Sequence, residues 1–150
     1  MEIKLYNTYT NQKEIFEPLE PGKVKIYNCG VTVYDHCHLG HARGAINFDV
    51  LRRVFLAVGY DVTYVKNYTD IDDKVINRAN ERKISVEALS EENIVSHDND
   101  MAALGIDPPD IAPRATHHIA DIIDITKKLI EKGFAYEVNG SVFFRVRKFE

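Results

Sequence analysis

Two histidines three residues apart, His38 and His41, flank Leu39-Gly40 where a long helical pattern begins. A helix start offers free backbone N–H groups and a partial positive charge, so it is a place for an anion. Gly40 lets a ligand approach the backbone closely. Both imidazoles carry an N–H that a phosphate oxygen can accept, and such donors stabilise charge developing on a transferred phosphoryl group. Once helical, the two side chains are expected on neighbouring faces. Upstream, Cys29 precedes Gly30 at a strand end. A lone cysteine reads as a small buried hydrophobe. Cys29, His36, Cys37, His38 and His41 nevertheless hold enough donor atoms to raise zinc, although no Cys-x-x-Cys pair or finger spacing occurs.

A second polar run, Asn67-Tyr68-Thr69-Asp70-Ile71-Asp72-Asp73-Lys74, sets carboxylates at positions 70, 72 and 73. They could hold a metal or orient a ribose, or they could simply cap a helix and favour its dipole. His97, His117 and His118 read as surface or packing residues. Gly-x-Ser-x-Gly, Walker and Gly-x-Gly-x-x-Gly patterns do not occur.

The elements that must position these groups follow from periodicity. Ile3 to Tyr6 and Glu14 to Phe16 read as short strands, and Pro21-Gly22 as a turn. Val24 to Cys29 reads as a half-buried strand ending at Gly30. A helix is expected from His41 to Val58, with Gly59 after it, and a strand from Asp61 to Lys66. Ile46, Phe48, Val50, Leu51, Val54, Phe55, Ala57 and Val58 form its apolar arc, and Asp49, Arg52 and Arg53 lie opposite. Arg43 and Asn47 fall inside that arc, so this end is either a polar pocket or a terminus exposed to solvent. Thr69 is placed to cap a helix to about Arg82, and Ser85 to cap another to Leu104. Pro108, Pro109 and Pro113 mark a loop. From Thr116, Ile119, Ile122, Ile123, Thr126, Leu129 and Ile130 share one helix face, ending before Gly133. Phe134 to Val138 and Ser141 to Val146 are strand-like and meet at Asn139-Gly140, a strong hairpin signal. Strand, helix, strand from Val24 onward is a βαβ unit with an expected right-handed crossover, whose ligands bind at the carboxyl ends of the strands.

With 150 residues, 45% hydrophobic and 28% charged, the chain suits one soluble globular domain rather than a disordered or fibrous one. Its net charge of −4 gives no whole-surface attraction for nucleic acid, so such contact must come from a local patch. Two cysteines are too few for a disulfide scaffold. No apolar run is long enough to span a membrane, and Met1-Glu2-Ile3-Lys4 begins no signal peptide, so a cytoplasmic location is expected.

His38-Leu39-Gly40-His41 resembles the His-Ile-Gly-His signature of class I aminoacyl-tRNA synthetases. The run Tyr27 to Asp35 before it, Asn67 to Lys74, and Pro113-Arg114-Ala115-Thr116-His117-His118-Ile119 extend the resemblance, over nearly the whole chain, to the cysteinyl-tRNA synthetase family. It implies an α/β fold: a Rossmann-type class I synthetase catalytic domain, its incomplete parallel sheet flanked by helices and followed by a β-hairpin. Residues 1–150 would be the N-terminal part of that domain. It implies activation of cysteine with ATP and transfer to the 3′ adenosine of tRNA(Cys). His38 and His41 would stabilise phosphate charge, Gly40 would make room for ATP with its Mg2+, and Gly30 and Thr69 would lie beside the amino acid. Cys29 matches the family's first Zn2+ ligand; that zinc binds the substrate thiol as thiolate, which suits a borderline-soft metal. The family's other zinc ligands and its Lys-Met-Ser-Lys-Ser signature have no counterpart here, so this segment alone is not expected to charge tRNA. Three rival readings remain: a ligase of the same fold that passes cysteine to an amino-sugar, a non-catalytic nucleotide-binding paralogue, and a self-contained zinc module built on Cys29, Cys37 and the local histidines.

Overall fold

A computed structural model describes residues 2–149. The chain divides into two compact units, before and after the Pro113–Arg114 bond.

The first unit opens with a hairpin, β1 (Lys4–Asn7) against β2 (Gln12–Ile15). The central unit is β3 (Lys23–Thr32), α1 (Leu39–Ala57) and β4 (Asp61–Thr69), with β3 and β4 parallel. Val24, Phe55 and Val62 make its core, and Phe16 from the β2 end packs tilted on Phe55 at 4.7 Å. Then come α2 (Asp73–Arg82) and α3 (Val86–Ala103), which bury Val75, Ala79 and Leu89 against one another.

Several boundaries differ from expectation. β3 does not stop before Gly30; it passes through a bulge between Asn28 and Val31 and pairs again to Thr32. β4 runs three residues beyond Lys66, because Val62, Tyr64, Lys66, Tyr68 and Asp70 alternate onto one buried face. Thr69 therefore ends a strand instead of capping α2; the Asp72 carboxylate takes that role, accepting from Lys74 N–H. The proline loop lies along β4 as a rudimentary third parallel strand: Lys66 N–H donates to Ile111 C=O at 3.1 Å and Tyr68 N–H to Pro113 C=O at 2.9 Å. Among the described residues no strand pairs with the other edge of β3.

α1 turns differently from its apolar arc. Of that arc only Phe55 is fully buried, while Ile46, Val50 and Val54 are exposed, as are Arg43 and Asn47. The polar pocket suggested by Arg43 and Asn47 does not form. Asp49 is instead buried, held by Arg53 at 2.7 Å, and Arg52 reaches Pro108 C=O and Asp110, both at 2.8 Å. The 105–110 loop thus covers the helix's polar sector.

In the second unit a 3₁₀ turn, Ala115–His118, precedes α4 (Ile119–Glu131), so the helix starts three residues after Thr116. Its expected apolar face is present but exposed at Ile119, Ile122, Ile123 and Ile130. β5 (Ala135–Val138) and β6 (Ser141–Phe144) form the antiparallel hairpin. Asn139 and Gly140, both at positive φ, make its two-residue turn, the geometry that matches strand twist.

Candidate active site

The polar segments meet where the parallel strands end. After β3, residues 33–38 lead into α1, whose N-cap is His38. The His38 imidazole accepts from Gly40 N–H through Nδ1 at 3.1 Å, and His41 Nδ1 accepts from His38 N–H at 3.2 Å. This is a capping box built from two histidines. On their neighbouring faces the rings stack at 3.9 Å and 21°.

That geometry decides the chemistry. Each Nδ1 is an acceptor, so in the neutral ring each proton sits on Nε2. Backbone amides at the helix start are also engaged: His41 and Ala42 N–H both bond His38 C=O. With the Gly40, His41 and Ala42 amides engaged, the Nε2–H groups of the two stacked rings are the donors this helix start keeps for an anion. Gly40 leaves space for this arrangement: a Cβ there would meet His38 Cε1 at 2.8 Å and push that ring from its capping position. Burial, and the neighbouring His38, His97 and Lys66, hold the His41 pKa below the ordinary imidazole value. A proton added at His41 Nδ1 would break the bond it accepts from His38 N–H.

Across the strand ends, Gly30 N–H donates to Asn67 Oδ1 at 2.8 Å, and Asn67 Nδ2 donates to Thr69 Oγ at 3.3 Å. Val33 N–H closes on Thr69 C=O. Gly30, Asn67 and Thr69 thus form one hydrogen-bonded shelf. Asn67 had drawn no separate notice in the sequence. Cys29, next to Gly30, is exposed and its thiol is free; Cys37 is half-buried, and burial pushes its thiol pKa up, with Asp100 and Asp98 adding to this and Lys66 opposing.

The self-contained zinc module does not form: among the described residues no three His, Cys, Asp or Glu side chains gather as a metal site. The carboxylates at 70, 72 and 73 likewise do not converge. Asp72 caps α2, Asp73 sits in its first turn, and Asp70 is buried. His118 Nδ1 lies 2.9 Å from Asp121 Oδ2 at an exposed position.

Both chemistry-bearing segments are held by α3. Ser90 Oγ donates to Asp70 C=O at 3.0 Å, Asn93 Nδ2 to Val33 C=O at 3.2 Å, and Ser96 Oγ meets His36 Nδ1 at 3.1 Å. His97, buried on the same helix, contacts Lys66 of β4 at 3.3 Å. Polar residues on a helix's buried face were the available signal, but their partners lie in distant segments.

Residues 15–150 match the family described as tRNA synthetases class I (C) catalytic domain. A cysteine--tRNA ligase of Geobacter metallireducens is 56% identical over 150 residues, covering all of this chain and 31% of the relative. One from Staphylococcus epidermidis is 51% identical over 148 residues, covering 99% of this chain and 32% of the relative. The chain thus spans about a third of the length of the curated relatives it matches. Among solved structures, an Agrobacterium radiobacter K84 LeuRS in a ternary complex with tRNA and LeuAMS superposes at a TM-score of 0.68 with 23% identity. It covers 80% of this chain and 16% of that one, and the likeness supports the fold alone. No described helix is long and apolar enough to cross a membrane.

Proposed function

The chain belongs to the class I tRNA synthetase family, in its class I (C) catalytic-domain branch, and on that premise we propose that the protein is a ligase joining cysteine to tRNA(Cys) in two steps. The carboxylate of cysteine attacks the α-phosphorus of ATP, forming cysteinyl-adenylate and releasing pyrophosphate. The 3′-terminal adenosine hydroxyl of the tRNA then takes the cysteinyl group and AMP leaves. Residues 1–150 are the N-terminal part of the catalytic domain in this reading, and the cytoplasm is the compartment it implies.

The observation that carries the reading is the histidine pair whose Nδ1 atoms are occupied by backbone amides, leaving two adjacent Nε2–H donors. Aimed at phosphate oxygens of ATP, they would stabilise charge that grows during attack, with no proton leaving either ring. Gly40 leaves room both for the His38 ring and for the nucleotide, whose Mg2+ would enter with the phosphates. Gly30 and Thr69, on the shelf tied by Asn67, would flank the bound amino acid.

Zinc fits one position of this chain. Cys29 has a free, exposed thiol at the strand end, and a thiolate is a ligand zinc accepts; the remaining donors would come from outside residues 1–150. A zinc ion there would bind the substrate thiol as thiolate, a basis for excluding serine that pocket shape lacks. In the full-length protein, Cys29→Ser is expected to lower zinc content and raise KM for cysteine at least about tenfold, with Cys37→Ser unchanged in both. Unaltered zinc in Cys29→Ser would remove this residue from the metal site.

The direct test is ATP–pyrophosphate exchange by full-length protein with cysteine or serine, followed by charging of tRNA. Cysteine-dependent exchange and charging are expected. Exchange that proceeds while only an amino-sugar accepts the cysteinyl group would overturn the tRNA assignment.

A further inference from the structure

The bulge in β3 sets two residues, Cys29 and Gly30, against one on β4, Asn67: Asn28 pairs with Lys66 and Val31 with Tyr68. The Gly30 N–H is taken up by a side chain, donating to Asn67 Oδ1 at 2.8 Å. That bond fixes which end of the amide is which. A backbone N–H can only donate, so the atom facing Gly30 is the oxygen, and the NH2 group turns to Thr69 Oγ, 3.3 Å away. An amide NH2 can only donate in turn, so the Thr69 hydroxyl must accept from it. One lone pair of that hydroxyl is then used by Asn67, and its proton is left to donate. Among the described residues the hydroxyl makes no second hydrogen bond. Asn67 and Thr69 share the half-buried face of β4, opposite the buried face that carries Tyr64, Lys66 and Tyr68. Thr69 is fixed there by its pairing with Thr32 and by Val33 N–H, which donates to its C=O at 3.2 Å.

We propose that Asn67 is a positioning residue for the amino acid: by donating to Thr69 it aims the hydroxyl proton at the substrate carboxylate. The proposal rests on the ligase reading above, in which Thr69 flanks the bound cysteine. The substrate ammonium can only donate, whereas its carboxylate can only accept, so an offered O–H suits the carboxylate. Held through one oxygen, the carboxylate presents the other to the α-phosphorus, and such orientation is a large part of what an active site supplies. One side chain thereby joins two parts of the shelf. Its oxygen holds the bulge that carries Cys29 and Gly30, and its NH2 sets the Thr69 hydroxyl. Neither residue of the same size does both: aspartate has acceptors alone, and leucine has neither group.

In the full-length protein, Asn67→Asp separates the two bonds. Its carboxylate still accepts from Gly30 N–H but has no donor for Thr69, so the hydroxyl turns its proton back onto it. KM for cysteine in pyrophosphate exchange is expected to rise at least about tenfold, the scale of a lost hydrogen bond to a charged group, with KM for ATP and zinc content within about twofold of wild type. Thr69→Val alone gives a similar rise, and Asn67→Asp adds nothing to it in the double variant. Thr69→Ser, which keeps the hydroxyl, stays near wild type. Full addition in the double variant would show that Asn67 acts by charge or packing and not through the hydroxyl, and overturns the proposal. An unchanged KM for cysteine in Asn67→Asp, or an equal rise in KM for ATP, overturns it too. Cysteamine has the thiol and amine without the carboxylate, so it is expected to inhibit wild type and Thr69→Val alike; weaker inhibition of Thr69→Val, matching its loss toward cysteine, overturns the carboxylate as the group addressed. Should Asn67→Asp fail to fold, Asn67→Ser, shorter and uncharged, takes its place in the cycle with the same expectation. No cysteine-dependent exchange by the wild-type protein overturns the ligase reading instead.

Discussion

Full-length protein carrying His41→Ala is expected to lose about two to three orders of magnitude in kcat for cysteine-dependent pyrophosphate exchange, with KM for cysteine changed only a few fold. The reason lies in when the Nε2–H bond would matter: in the proposed reaction its partner oxygen gains charge in the transition state, so the loss would fall on turnover and not on amino-acid binding. Equal losses in kcat and in cysteine affinity would count against the role. The substitution also removes the acceptor of His38 N–H, a cap worth about 0.5–2 kcal/mol. His41→Asn separates the two effects. Its side-chain oxygen can still accept that amide, so thermal stability should recover while turnover does not.

Gly30→Ala should be the most damaging change to the fold. A Cβ at this position would fall 1.4 Å from Asn67 carbonyl oxygen and 2.5 Å from its carbon. Both are backbone atoms of the paired strand, so no rotamer relieves the overlap. The bulge between Asn28 and Val31 is what brings the two chains this close. A loss above about 4 kcal/mol is expected, read as failure to accumulate soluble full-length protein or as a large fall in Tm. Gly44→Ala is the contrast: nothing lies within 4 Å of its Cβ and it sits inside α1, so a gain of up to about 1 kcal/mol is expected. A Gly30→Ala protein melting with the wild type would show that the strands spread more easily than their pairing suggests.

What sequence made legible here was local. The histidine pair, the Asn139-Gly140 turn and the βαβ order are set by neighbours within a few residues, and they stand where periodicity and turn chemistry put them. What it hid was set across distance. Lys66 breaks the rule that lysines face water, so β4 seemed to end there; its partner His97 is thirty-one residues on. Asp49 and Arg52 looked solvent-facing because the loop that covers them is more than fifty residues away. Ser90 and Asn93 fall on the helical stripe with Leu89, Ile94 and Met101, so their burial could be read, but not that they grip Asp70 and Val33. For the same reason Thr69 looked like a cap: the strand pairing that keeps it extended involves Thr32.

The two-histidine helix cap has one more consequence. Side chains that bind phosphate usually arrive loose and are ordered by the ligand, at a cost of about 0.5–1.5 kcal/mol for each flexible group immobilised. Here each ring is already held by a hydrogen bond from the backbone that starts α1. Their entropy is spent when the polypeptide folds, so under the ligase reading an incoming nucleotide would meet a preorganised pair of donors and keep that much more of its interaction energy for the reaction.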